Sequence, residues 1–385
     1  MDRIYLDHNA TTPLDPRVLE AMLPLLRDGV GNASSIHWFG QRARAALDDA
    51  RGEVAALIGA SPAEIVFTGS GTEADNTALR GVAGLAREPR RKIVCTAVEH
   101  HAVLNTARAL AEEGFAVEMA RVGGDGRVDL ADLEARVDES TALVAVMLAN
   151  NETGVLQPVA EVARLARAKG ALVHCDAVQA AGKVAVDVRA LDVDLLALSA
   201  HKIYGPQGVG VLYARRGARL RPLLRGGAQE RNRRAGTENV AGIAGLGEAA
   251  RLARAELGGQ AERLAARRDR LEQRLLALPG AVRNGEGPRV PNTTNVSFAG
   301  VDAESLLMAL DLMGLAVSTG AACAAGAVEP SHVLRAMGLP MARVQASLRF
   351  SLGRSTTDAE VDRAAEAVAL AVAKQRETRA LSTRR

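Results

Sequence analysis

With 385 residues, 48% of them apolar, the chain is long enough for a large core and a second, smaller lobe. Basic and acidic residues nearly cancel at a formal charge of +3, and their signs alternate along AERLAARRDRLEQRLL as on a solvated helix face, so direct nucleic-acid binding is not expected. The three cysteines, Cys95, Cys175 and Cys323, are far apart and without a Cys-x-x-Cys pair, which argues against a disulfide framework or a thiolate zinc site.

The amino terminus, MDRIYLDHNATTP, lacks a basic stretch followed by a long apolar segment. No later run approaches the ~20 apolar residues that a membrane span needs. A soluble, cytoplasmic protein in a reducing compartment is expected. From Glu64 to Tyr213 short apolar runs (IVFT, KIVCTA, TALVAVML, ALVHCDA) alternate with helical patterns (TEADNTALRGVAGLA, HAVLNTARALAEEG, PVAEVARLARAKG). Such units predict an α/β fold with a mainly parallel sheet covered on both faces. In those sheets ligands sit beyond the carboxyl ends of the strands, where the polar clusters GSGTE, EHH, NNETG, HCDAVQ and SAHK fall.

FTGSGTEADN follows a strand and opens a helix, so Gly71 and Thr72 offer backbone amides and a hydroxyl to a phosphate, unless the motif is only a helix cap. EHHAV supplies His100, whose ring can stack on a flat ligand in a chain with few aromatic residues. A metal reading of His100, His101, His174 and Asp176 lacks a helical His-x-x-x-His spacing, and no metal is expected. Asn151 in NNETGVLQP is a turn residue or a ligand contact. Asp176 ends an apolar strand, with Gln179 three residues on. It either caps the helix after that strand or faces a ring nitrogen. SAHKIYGPQGVGVLY places Lys202 between a strand and a glycine-punctuated turn, facing the cleft. The only other lysines are Lys92, Lys169, Lys183 and Lys374. Partial burial beside cationic groups such as His201 is expected to lower its pKa.

After Tyr213 comes a connector, RGGAQERNRRAGTEN, then a long helical region toward Leu278 with a break expected at Gly258-Gly259. From Asn292 a small α+β lobe is predicted: the strand TTNVSF, a helix around ESLLMALDLM, the small-residue run STGAACAAGAVEP, a helix SHVLRAMG, the strand QASLRFSL and a last helix from Asp358. The tail RETRALSTRR is expected to fray. Cys323 is predicted to lie on an exposed, mobile loop. Cys95 and Cys175 sit in apolar strands that keep thiols inert. Arg349, an arginine in an apolar strand, needs an anion, which a substrate carboxylate would supply.

These motifs resemble the NifS/IscS-type cysteine desulfurases, class-V aminotransferases of the fold-type I pyridoxal-phosphate enzymes. The resemblance runs from IYLDHNATTPLDPRV through GSGTEADN, VEHHAV, NNETGVLQP, HCDAVQ, SAHKIYGPQGVGVLY, GGAQERNRRAGTEN and STGAACAAGAVEPSHVLRAMG to RFSLGRSTT. It implies a large cofactor domain over 16–257 with a sheet of the seven-stranded type, and a small domain from 1–15 and 258–385 that carries the cysteine loop. It also implies pyridoxal 5'-phosphate on Lys202, His100 stacked on its ring, Asp176 at the ring nitrogen and Gln179 at the ring hydroxyl. Gly71, Thr72, Ser199 and His201 would make phosphate or adjacent contacts, with Thr237 reaching the phosphate of the neighbouring subunit in a homodimer. Asn151 and Arg349 match contacts to the substrate carboxylate, and Cys323 matches the persulfide cysteine. The implied reaction converts L-cysteine to L-alanine and passes sulfur to an acceptor such as an iron-sulfur scaffold protein. A selenocysteine lyase or another β-eliminating enzyme is the alternative. GSGTEA and STGAAC stand where the family usually has SGATES and SSGSAC, and small residues are kept in both.

Overall fold

A computed structural model of the chain describes residues 3–320, 323–324 and 327–382, leaving out the side chains of 323, 324, 327, 328 and 382. Among the described residues, seven strands form one sheet: β1 (Ile65–Thr68), β2 (Lys92–Thr96), β3 (Ala116–Ala120), β4 (Thr141–Met147), β5 (Leu172–Asp176), β6 (Leu195–Ser199) and β7 (Gly210–Ala214). The order across the sheet is β1-β7-β6-β5-β4-β2-β3. All neighbours run parallel except β7, which is antiparallel to both β1 and β6. The segment from β6 to β7 is shorter than the dozen or so residues a parallel crossover requires, so the chain must turn back beside itself.

Side chains alternate between two cores, as the two-residue period of a strand demands. Val144, Val146, Val173 and Cys175 face helices Trp38–Leu57, Val159–Ala168 and the start of Val240–Leu276. Ile93, Cys95, Leu143 and Ala145 face helices Gly71–Ala83 and His101–Glu112.

A third core belongs to the other lobe. There Thr293–Phe298 pairs antiparallel with Ser347–Ser351 and Ala281–Arg283, while Ile4–Tyr5 pairs with Leu315–Ala316. Phe298, Leu306, Phe350 and Val361 fill it, with Leu6 from the amino-terminal segment. The expected break at Gly258-Gly259 is absent, because Val240–Leu276 is one 37-residue helix. Its first half buries Ile243, Leu246 and Ala250 in the large-lobe core, and its second half buries Leu264, Leu271 and Leu275 in the small-lobe core. Two mid-helix glycines cost roughly 2 kcal/mol together, whereas each of those leucines gains roughly 1.5–3 kcal/mol on burial. Of the tail expected to fray, residues 376–382 continue a helix and residues 383–385 lie outside the described residues. Helix Asp358–Ser382 is tied down where Arg376 donates to the carbonyls of Ala299 at 3.0 Å and Pro279 at 2.8 Å.

Candidate active site

The carboxyl ends of the strands converge on a cavity of ≈390 Å³ lined by Gly71, Thr72, His100, Asn151, Asp176, Gln179, Ser199, His201, Lys202 and Arg349, together with Asn9, Ala10 and Asp75. At one end lies the helix Gly71–Ala83. Ser70 Oγ caps the Glu73 amide at 3.1 Å, and the Glu73 carboxylate accepts from the Gly69 amide at 2.8 Å. The capping reading of GSGTE is therefore correct, and compatible with ligand binding. The amides of Gly71 and Thr72, at the first helical positions, have no intrahelical acceptor and remain for an anion. A side chain on Gly71 would meet Val178 at 2.9 Å and Ser199 at 3.3 Å, so glycine is what lets this helix end approach the strand ends.

No helix follows β5 before β6, so Asp176 caps a turn and not the helix that one reading expected. Its Oδ1 accepts from the Val178 amide at 2.9 Å, and the carboxyl group also lines the cavity. Burial raises its pKa, opposed by His100, by the Val178 amide and by Lys202. His100 Nδ1 accepts from the Ala102 amide at 3.1 Å, which leaves the ring proton on Nε2. Burial on its protein side lowers the His100 pKa. Asp75, fully buried behind this pair, bonds His174 Nε2 at 2.9 Å. Ligand atoms of Asp75, His100 and Asp176 all lie within 4.8 Å of one another. Two buried carboxyls this close do not both ionise, and Asp75 is raised well above the usual range by burial, Asp176 and Glu99. Burial alone pushes His174 down to about 3.

Lys202 occupies the short turn Ala200–Lys202 directly after β6. Its Nζ donates to the carbonyls of Asn9 at 2.6 Å and Ala10 at 2.7 Å. Burial, then Arg349, lowers its pKa to about 8. The cation beside it is thus Arg349 and not His201, whose own pKa falls to about 4 through burial and Lys202, leaving that imidazole uncharged at neutral pH. His201 Nδ1 instead meets Thr11 Oγ1 at 3.1 Å.

Arg349 is 5% exposed and already faces an anion that the sequence reading missed. It donates to Asp7 Oδ1 at 2.6 Å and to the Asn151 carbonyl at 3.0 Å, while its Nε and the Asn151 Oδ1 are buried without a partner. Thr237 is exposed and borders a different cavity, of ≈110 Å³, beside Gly69 and Glu238. The backbone at Cys323-Ala324 pairs antiparallel with Ala327-Val328, and the Cys323 side chain lies outside the described residues. Gly320 and Ser331 flank that segment and both approach Glu152. A side chain on Gly320 would come within 2.9 Å of its carboxylate, and Ser331 Oγ donates to it at 2.5 Å. Cys95 and Cys175 are fully buried with raised pKa values.

A mainly parallel sheet with an amine, a carboxyl and a phosphate-sized helix terminus at its strand ends defines a pyridoxal-phosphate enzyme of fold type I. The sequence profile of the family Aminotransferase class-V matches residues 4–364, and the chain belongs to that family, whose members use pyridoxal 5'-phosphate. It is 50% identical over 368 residues to a cysteine desulfurase of Trichormus azollae, covering 95% of this chain and 92% of that protein. Among solved structures, a NifS-like protein superposes with a TM-score of 0.91 at 40% identity, over 96% of this chain and 99% of the other. A structure titled SspA in complex with cysteine gives a TM-score of 0.81 at 32% identity, over 92% and 99%. The donor set fits the cofactor: unclaimed amides for a phosphate, a buried carboxyl for a ring nitrogen and an amine of lowered pKa for the aldehyde. Among the described residues no helix is long and apolar enough to cross a membrane.

Proposed function

We propose that the chain is a cytoplasmic cysteine desulfurase that moves the sulfur of L-cysteine onto Cys323, releases L-alanine and hands the sulfur to an acceptor such as an iron-sulfur scaffold protein. One observation carries the reading most: Lys202, Asp176, His100 and Arg349 meet around a single cavity in a chain half identical to cysteine desulfurases. When bound, pyridoxal phosphate supplies an electron sink for bond cleavage next to the substrate amine.

The residues divide the remaining work. Gly71, Thr72, Ser199 and His201 hold the phosphate, joined by Thr237 of a second copy of the chain in a homodimer. The exposure of Thr237, away from its own cavity, supports that assignment. His100 lies against the ring, Gln179 contacts its hydroxyl, and Asp176 holds a proton at its nitrogen. Lys202 carries the cofactor and then, at Nζ, takes and returns the substrate α-proton. Arg349 and Asn151 hold the substrate carboxylate. The Cys323 thiolate attacks the substrate sulfur, so that a sulfur-sulfur bond forms as the carbon-sulfur bond breaks, leaving a persulfide. Cys95 and Cys175 are unsuited to this, since burial keeps both protonated.

The test is alanine release together with mass spectrometry of the cysteine-treated protein. One added sulfur on the Cys323 peptide is expected. A Cys323→Ala variant should keep the cofactor's visible band but yield no persulfide. Parental turnover by that variant would refute the proposal in favour of direct chalcogen release, as in a selenocysteine lyase.

A further inference from the structure

Lys183 is 7% exposed and stands on the closed side of the site. Its Nζ donates to Gln179 Oε1 at 2.5 Å and to Asn9 Oδ1 at 3.2 Å, and among the described residues it makes no ion pair. Which end of the Gln179 amide faces which neighbour does not depend on the charge of Lys183. Gln179 Nε2 lies 2.8 Å from the Asn9 main-chain carbonyl. A carbonyl oxygen only accepts, so the amide nitrogen must face it and Oε1 must face Lys183. The same carbonyl receives Lys202 Nζ at 2.6 Å. The Asn9 side chain is held in turn by Asn292 at 3.1 Å and by Thr293 at 2.9 Å. Behind the two lysines is a cavity of ≈20 Å³, room for a water and not for an aromatic ring.

We propose that Lys183 is a positioning residue: it locks Gln179 so that an N–H donor is presented to the bound ring, and locks Asn9 so that its carbonyl is a fixed acceptor for Lys202. This deepens the function proposed above and rests on it. A second lysine pressed against two neutral amides has no structural need of its own, since an apolar side chain of similar length would fill the space without desolvating an amine.

The experiment uses the protein reconstituted with pyridoxal phosphate. Lys183→Met is expected to speed cofactor dissociation about tenfold and to shift the pH midpoint of the bound cofactor's visible band by about one unit. Gln179→Leu should do the same, and the double variant no more than either alone. Lys183→Gln, whose amide still donates toward Gln179, should restore most of the parental behaviour. An additive double variant, or a Lys183→Met protein with parental dissociation and midpoint, overturns the role while leaving the function standing. A parent that takes up no cofactor overturns both. If Lys183→Met does not fold, Lys183→Gln and Gln179→Leu decide the matter. Near-parental dissociation and midpoint in Lys183→Gln with loss of both in Gln179→Leu are expected, and equal behaviour of the two variants refutes the contact.

Discussion

The two lobes hold their share of the site in different ways. In the large lobe, Asp176 ends β5 and Lys202 follows β6, strands buried on both faces, so backbone pairing sets the positions of these groups. The small lobe sends in Arg349 from the paired strand Ser347–Ser351, and it is the guanidinium that is kept in place by contacts outside that lobe's own core, to Asp7 and to the Asn151 carbonyl. The groups proposed to handle the cofactor thus stand at or directly after strand ends. The guanidinium proposed for substrate recognition instead reaches away from its own strand to partners distant in the chain.

The largest expected effect breaks the large-lobe half. Lys202→Ala should cut alanine formation by about 10³-fold or more, and borohydride trapping of the cofactor should find no labelled peptide. A label on Lys183 in the parent would contradict the assignment, although the ≈20 Å³ space beside Lys183 makes that outcome sterically unattractive. The small-lobe contribution ranks second. Arg349→Leu should raise KM for L-cysteine by about 10²-fold, the loss of a charge-assisted pair of hydrogen bonds. It should also leave Asp7 without its cation, and comparable losses in Lys202→Ala and Arg349→Leu would erase the contrast between the lobes.

Arg349 also bears on pH. Burial and Arg349 lower the Lys202 pKa to about 8, so the free amine grows as pH rises through that value. Uptake of pyridoxal phosphate by the apoprotein should therefore quicken up to about pH 8 and then level off. Because the folded pKa lies below the ordinary lysine value, the unfolded chain binds more protons between the two, and the stability of the apoprotein should rise with pH across that window. Arg349→Leu should move the uptake midpoint upward. An unchanged midpoint would mean that burial, the larger of the two lowering causes, governs the amine without help from Arg349.

Much of the large-lobe half is legible in the sequence because it is local. An apolar run followed by a polar cluster reports a strand and the group at its end, and Asp176, Ser199 and Lys202 all follow that rule. The illegible part depends on partners distant in the chain. Asn9 meets Lys183 across 174 positions and Arg349 meets Asp7 across 342, and no periodicity encodes such pairs. Adjacency in sequence suggests His201 as the cation near Lys202, yet its environment neutralises it. The pairing of Asp75 with His174 escapes the sequence for a related reason, since Asp75 sits in the polar run GTEADN and His174 in the apolar strand LVHCD, 99 positions away. A signal exists at His174: a polar residue inside an apolar run needs a partner, the same rule that singles out Arg349.

The smallest expected effect concerns the helix that joins the lobes. Gly258 and Gly259 lie inside Val240–Leu276, where they lower helix propensity, and an added methyl group would meet nothing within 4 Å at Gly258 and only the end of the Arg263 side chain, at 3.3 Å, at Gly259. Neither has a positive φ. Alanine at each position should therefore stabilise the protein by about 0.5–1 kcal/mol, through reduced backbone freedom in the unfolded chain. For a chain of this size that amounts to a rise of a few degrees or less in melting temperature, measurable by calorimetry. The informative quantity is the accompanying turnover. If the helix is a rigid strut that fixes Arg349 relative to Lys202, the double alanine variant should keep the parental kcat and KM while melting later. If the glycine pair instead lets the lobes move during the catalytic cycle, the same stabilisation should come with a lower kcat. The burial of Leu252 before the pair and of Leu264 after it, in two different cores, favours the strut, because flexing between two anchored points would have to pull one of those leucines out of its core.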